Sequence, residues 1–155
     1  MKILLPIDES SCSAAAVDTI IHEYDPAWTE VCVVHAVERN LSVPAYAAFA
    51  EGPSAADTAL ATYEPECIRQ ETIASKTVAR LRAAGFKVTA DIRIGSPVGV
   101  ILDCSAAWNP DVIVMGSRNR HGISRLIHGS VSHDILRAAG CDVVIVKPPK
   151  PETIH

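Results

Sequence analysis

Two stretches of the sequence put unusual side chains where an apolar run stops. The first is Pro6, Ile7 and Asp8, which sets a carboxylate directly after the run Lys2–Ile7. The second is MGSRNRHGISRLIHGSVS, residues 115–132, with Gly116, Gly122 and Gly129 ahead of Ser130 and Ser132. It also carries Arg118, Arg120 and Arg125 in a chain of net charge -4. Glycines let backbone N–H groups approach an anion closely, and a helix N-terminus adds partial positive charge. Guanidinium groups pair with phosphate oxygens, although any one of these arginines taken alone reads as a solvated surface residue. Together the residues describe an anion cradle.

Other chemistry is weaker. His121, His128 and His133 lack the spacing of a helical ligand pair or of a zinc finger, and read as polar rim residues. His35, inside an apolar strand, reads as a hydrogen-bonded core histidine. No serine–histidine–acid constellation or HExxH motif is present. The five cysteines, Cys12, Cys32, Cys67, Cys104 and Cys141, are odd in number and never spaced as CxxC. That suits reduced thiols, with Cys32 and Cys104 as small core residues. Cys12 falls in a predicted first helical turn, where the dipole lowers a thiol pKa, but redox sensing there is the minor reading.

The elements that must position these residues alternate along the chain. Lys2–Ile7 predicts a buried strand, Ser10 or Ser11 a cap, and residues 12–24 a helix stopped by Asp25 and Pro26. Glu30–Val37 contains VCVV, apolar at every position, as in a strand covered on both faces. Residues 38–65, with Pro44, Gly52, Pro53 and Pro65, read as a long excursion. A helix over 66–84 carries Ile73, Thr77, Val78 and Leu81 on one side and ends at Gly85. Lys87–Ile94 alternates like a strand with one wetter face, at a sheet edge. Ser96 and Pro97 start a helix ended by Asn109 and Pro110. Residues 111–115 form a strand, 130–139 a helix, and Asp142–Val146 the last strand. This order predicts an α/β fold of three layers, a parallel sheet with right-handed crossovers and helices on both faces. At 155 residues and 48% hydrophobic types the chain supports one domain, 1–148, followed by a short tail, 149–155. The acidic balance argues against nucleic acid and anionic membranes, and the N-terminus lacks a signal peptide or spanning run, so a cytoplasmic protein is expected.

In such sheets ligands bind outside the carboxyl ends of the strands, where the strand order reverses. At the residues above the chain resembles the universal stress proteins, whose ATP-binding members carry glycine, two residues, glycine, nine residues, then glycine and serine or threonine. Gly116, the stretch 120–128, Gly129 and Ser130 keep that register, while Asn119 stands at the second glycine. Asparagine enters the left-handed region more readily than most residues, so the backbone can survive there; the empty space cannot. The resemblance extends to ILLPIDES, VCVVHAV, GSPVGVILDCS, PDVIVMGSR and CDVVIVKP. It implies a five-strand sheet of order 3-2-1-4-5, Rossmann-like, in the manner of the adenine nucleotide alpha hydrolases.

It further implies an ATP site. Pro6 and Ile7 would line it, Asp8 would bond the ribose, and Ala36 would offer backbone groups to adenine. Met115 and Gly116 would flank the nucleoside, with Arg118 and Asn119 towards the phosphates. Gly129, Ser130, Val131 and Ser132 would meet the phosphates, with Mg held through the phosphates and not by protein side chains. A homodimer through Val143, Val144, Ile145 and Val146 is implied as well, in keeping with a short apolar edge strand. Asp8 read blandly is a helix-capping carboxylate. A response-regulator receiver shares the layers but needs an aspartate at the end of its central strand, and none is there. Hydrolysis would need a positioned water and a base, and nothing beyond Asp8 suggests one, so the expected role is regulatory, with nucleotide ordering the excursion by population shift. The competing reading is a nucleotide-free dimeric interaction module of the universal stress protein A type.

Overall fold

A computed structural model describes residues 1–38, 72–117 and 130–148. The expectations for Cys67, Arg118, Asn119, His121, His128, Gly129, most of the 38–65 excursion and the tail lie outside the described residues. The elements are β1 (Lys2–Ile7), α1 (Ser11–Glu23), β2 (Glu30–Val37), α2 (helical over 72–83), β3 (Lys87–Ile94), α3 (Pro97–Trp108), β4 (Val112–Gly116), α4 (Ser130–Ala138) and β5 (Asp142–Val146).

Local chemistry explains most boundaries. Ser10 caps α1, its Oγ accepting from the Ser13 N–H at 3.2 Å. Ser96 does the same for α3 through the Gly99 N–H at 3.3 Å, with Pro97 in the first turn. Asn109 ends α3 in the left-handed region at φ 51. Gly85, at φ 94, ends α2. Its N–H donates to the Arg82 carbonyl at 2.9 Å and that of Phe86 to Leu81 at 3.1 Å, the paired bonds of a Schellman cap. β4 begins one residue later than the apolar run suggests. Asp111 turns its carboxylate to the Lys2 N–H, 2.6 Å away, and closes the amino end of β1 instead of extending β4.

The sheet is parallel, of order β3-β2-β1-β4-β5, as expected. Sequence order reverses between β1 and β4, because the chain runs outward through β2 and β3 before crossing back. Right-handed connections then put helices on opposite faces. One face packs Ile3, Leu5, Val31, Val33 and Val114 against Ala16, Val17 and Ile20 of α1 and Leu81 of α2. The other packs Leu4, Val34, Ile113 and Met115 against Val100, Ile101 and Cys104 of α3 and Ile135 of α4. Burying an aliphatic side chain fully contributes about 1.5–3 kcal/mol, so these two layers supply most of what holds the helices to the sheet. On α2, Leu81 is fully buried and Ala74, at 1% exposed, packs deeper than Ile73. β3 lies at an edge, as its alternation predicts. Val88 is buried while Ile92 and Ile94 are 39% and 52% exposed. No described helix is long and apolar enough to cross a membrane.

Candidate functional site

β1 ends at Ile7, and its next residue turns out of the sheet. The Asp8 carboxylate accepts from the Ser10 N–H at 2.9 Å and from the Ser10 hydroxyl. Ser10 in turn caps α1, and the Asp8 N–H donates to Ser13 Oγ at 3.1 Å. Asp8 is therefore not the cap itself; it orients the serine that is. The turn is a closed loop of short polar side chains, the arrangement that aspartate and serine favour ahead of a helix. α1 consequently points its N-terminus at the carboxyl end of β1, and its dipole is positive there.

The β1–β4 register pairs Ile3 with Val112 and Leu4 with Ile113. Carried three steps further along each strand, that register puts Ile7 level with Gly116, so Asp8 leaves the sheet beside the strand that ends at Gly116, where strand order reverses. Gly116 is glycine for a reason visible there. A Cβ built on it would lie 2.3 Å from the carbonyl carbon and oxygen of Cys12 and 2.7 Å from its Cβ. The first turn of α1 sits directly on the end of β4, and only a residue without a side chain permits that approach. Cys12 is 6% exposed, so the core role stands over the redox one.

Of the other residues singled out, Pro6 is buried on β1, Met115 is 5% exposed on β4, and Ala36 is half-buried on β2 beside His35. His35 is 4% exposed, with Nδ1 2.8 Å from the Ile7 carbonyl oxygen, the hydrogen-bonded core position expected. Ser130, Val131 and Ser132 form the first described turn of α4. Ser130 is exposed, Val131 packs partly against α3's layer, and Ser132 is 2% exposed. Arg118, Asn119 and Gly129 lie outside the described residues. His133 is exposed on α4, and no group of side chains suited to a metal ion occurs among the described residues.

A groove of about 400 Å3 opens beside Asp8, between α1 and α2. Asp8 and Ser10 form one wall, Lys76 and Arg80 the other, over Ala14 and Val17. Sequence reading passed over Lys76 and Arg80. The available signal was their spacing of four on one helix, which gives them a common face. Arg80 also pairs with Asp18 of α1, tying the two helices together across the groove.

A second polar cluster lies away from the crevice. Asp91 of β3 accepts two bonds from Arg93, at 2.9 and 2.6 Å, and the thiol of Cys104 lies 3.4 Å from its carboxylate. The Arg93 bonds hold the Asp91 carboxyl below its ordinary range. Burial, then the bond to Asp91, pushes the Cys104 thiol up to about 12. Burial also raises Cys32. Both cysteines are core residues, as expected.

The model of the universal stress protein family matches residues 1–147. The chain belongs to the universal stress protein family. A curated relative, universal stress protein MJ0531 of Methanocaldococcus jannaschii, is 28% identical over 97% of this chain and 84% of its own. Among solved structures, the universal stress protein MJ0577 of the same organism superposes with a TM-score of 0.79 at 20% identity, covering 97% of both chains. A universal stress protein in complex with cAMP gives 0.65 at 20% identity, over 96% of this chain and 98% of that one. A family protein from Arabidopsis thaliana with AMP bound gives 0.66 at 16% identity, over 99% and 95%. At these identities the structures establish the fold, which is the doubly wound sheet described above.

Proposed function

We propose that this universal stress protein binds an adenine nucleotide, ATP or another of that class, with Mg on its phosphates, in the crevice between the ends of β1 and β4. The observation that carries the reading is that β1, which ends just before Asp8, and β4, which ends at Gly116, are neighbours at the one point where strand order reverses. Two family structures hold cAMP or AMP, which supports an adenine ligand. In this reading Pro6 and Ile7 line the crevice, Asp8 bonds the ribose, Ala36 faces adenine, and Met115 and Gly116 flank the nucleoside. Ser130 and Val131 at the α4 N-terminus, with Ser132, Arg118, Asn119 and Gly129, take the phosphates. The nucleotide acts as a regulatory ligand in a cytoplasmic homodimer. Edge strand β5 is the proposed dimer seam: Val144 is 37% exposed, Val143, Ile145 and Val146 are half-buried, and Leu136 of α4 is 46% exposed.

One observation favours the nucleotide-free alternative. The missing side chain of Gly116 is already required by Cys12, so that glycine does not by itself imply a ligand. The deciding experiment assays freshly denatured protein for adenine nucleotide and titrates stripped protein with magnesium ATP by calorimetry. Binding that strengthens in Asn119→Gly and weakens about tenfold in Asp8→Ala is the expected result. No bound nucleotide and no heat in wild type or in Asn119→Gly refutes the reading and leaves the dimer surface as the functional feature. Sedimentation as a monomer at micromolar concentration would refute the dimer.

A further inference from the structure

The Ile7–Asp8 peptide group is where β1 stops being sheet and the Asp8 turn begins. Both of its polar atoms are held by side chains. The Ile7 carbonyl oxygen lies 2.8 Å from His35 Nδ1, and the Asp8 N–H donates to Ser13 Oγ at 3.1 Å. A carbonyl oxygen can only accept, so Nδ1 carries a proton and donates it. The two residues are 4% and 6% exposed and come from different elements, β2 and α1. His35 stands opposite Ile7 in the β1–β2 register, which is what brings its ring within reach of that carbonyl.

A planar peptide group fixed at both C=O and N–H cannot turn without breaking a buried hydrogen bond. Its orientation sets the direction in which the next residue leaves the sheet, and that residue is Asp8. We infer that His35 and Ser13 are positioning residues: they clamp the Ile7–Asp8 peptide so that the Asp8 carboxylate stands at the β1–β4 crevice. The ligand half of this inference rests on the nucleotide reading above; the clamp does not. Small displacements of a polar group cost affinity steeply, so a residue that never meets the ligand can control its binding.

The test has two arms. In ligand-free protein, hydrogen exchange of the Asp8 amide is followed by NMR in wild type, His35→Leu, His35→Asn and Ser13→Ala. Leucine removes the donor; asparagine returns an N–H close to the Nδ1 position; Ser13→Ala acts from the opposite side should His35→Leu fail to fold. Exchange is expected to speed up by roughly tenfold or more in His35→Leu and Ser13→Ala and to recover in His35→Asn. In the second arm, ATP and 2′,3′-dideoxy-ATP are titrated into the same proteins and into an Asp8→Ala background. His35→Leu is expected to weaken ATP about tenfold, to change the dideoxy ligand by less than about twofold, and to add nothing further once Asp8 is gone. Unchanged Asp8 exchange in both His35→Leu and Ser13→Ala overturns the clamp. An equal loss for both ligands, or a loss that persists in Asp8→Ala, overturns the positioning role and leaves His35 a plain core residue. If wild type binds no nucleotide, the nucleotide reading fails instead, and the exchange arm alone decides the clamp.

Discussion

Asp8, just past the end of β1, and Asp91, within β3, are two carboxylates with different partners. Asp91 meets a guanidinium through two bonds and receives a buried thiol, and the surrounding ionisations are displaced strongly, Cys104 to about 12. Asp8 is held by the amide and hydroxyl of the serine two residues on, at the place where strand order reverses. A perturbed ionisation often marks a functional site, yet the one at Asp91 and Cys104 does not. A thiol pushed to about 12 stays protonated and unreactive at neutral pH, so the Asp91 cluster is a closed structural network. The proposed nucleotide site rests instead on strand order and backbone geometry.

Five experiments can break or sharpen that contrast. The largest effect is expected from Gly116→Ala. Its Cβ would meet Cys12 backbone at 2.3 Å, and backbone cannot move aside as a side-chain tip can, so α1 must shift from β4. A loss of about 3 kcal/mol in urea unfolding follows from overpacking. A loss below about 0.5 kcal/mol would mean that α1 does not sit on β4 in this way, and would return the glycine to a ligand role.

Next comes Ser10→Ala, which removes the α1 cap and the partner of Asp8 together. About 1 kcal/mol is expected, with Ser10→Gly costing only a few tenths. If both substitutions cost the same, the Asp8–Ser10–Ser13 loop contributes no more than an ordinary turn.

The Asp91 region should respond in its ionisations more than in its stability. Asp91→Asn is expected to bring the Cys104 thiol down from about 12, but not to its ordinary 9.0, because burial is the larger cause and remains. Thiolate ultraviolet absorbance against pH reads this directly. The Asp91 carboxyl lies below its unfolded value near 3.8, so its stabilising contribution is complete above that pH and is lost as pH falls through the lowered value. Arg93→Met removes the main cause of the lowering, and the acid limb of the stability curve should flatten below about pH 4. An acid limb identical to wild type would show that the Asp91–Arg93 pairing does not hold in solution.

The smallest effect is expected at the exposed pair of Lys87 and Glu30, 2.5 Å apart. Lys87→Ala should return the Glu30 carboxyl, now lowered by Lys87, towards its ordinary value. Tm should stay within about 1 °C, because surface ion pairs contribute little. A larger drop would mean that charge pairing at the β3 edge matters as much as packing at the crevice.

Much of the architecture was legible because it is written in local patterns. VCVV reads as a doubly covered strand, Ser96 with Pro97 as a helix start, and Gly85 as a stop, since each depends on neighbours within a few residues. The start of β4 was misjudged by one residue because Asp111 answers to Lys2, far away in sequence. At the site, Asp8 and Gly116 could be singled out as residues that end apolar runs, and the order of elements placed both at strand ends. That Gly116 touches Cys12, that Lys76 and Arg80 wall a groove opposite Asp8, and that Ala74 packs deeper than Ile73 had no sequence signal of comparable strength.

By itself, then, the sequence determined the alternation of strands and helices, the parallel sheet, its order through the family's motifs, and the identity of the residues at the strand ends. These follow from periodicity, capping and turn chemistry, which act over one or two turns of chain. Only the tertiary structure decided what those residues do to one another. The His35 bond to Ile7 spans 28 positions, and the approach of α1 to Gly116 joins segments about a hundred residues apart. Contacts of that kind depend on register and on the direction of helices packed across a sheet, and no local pattern records them.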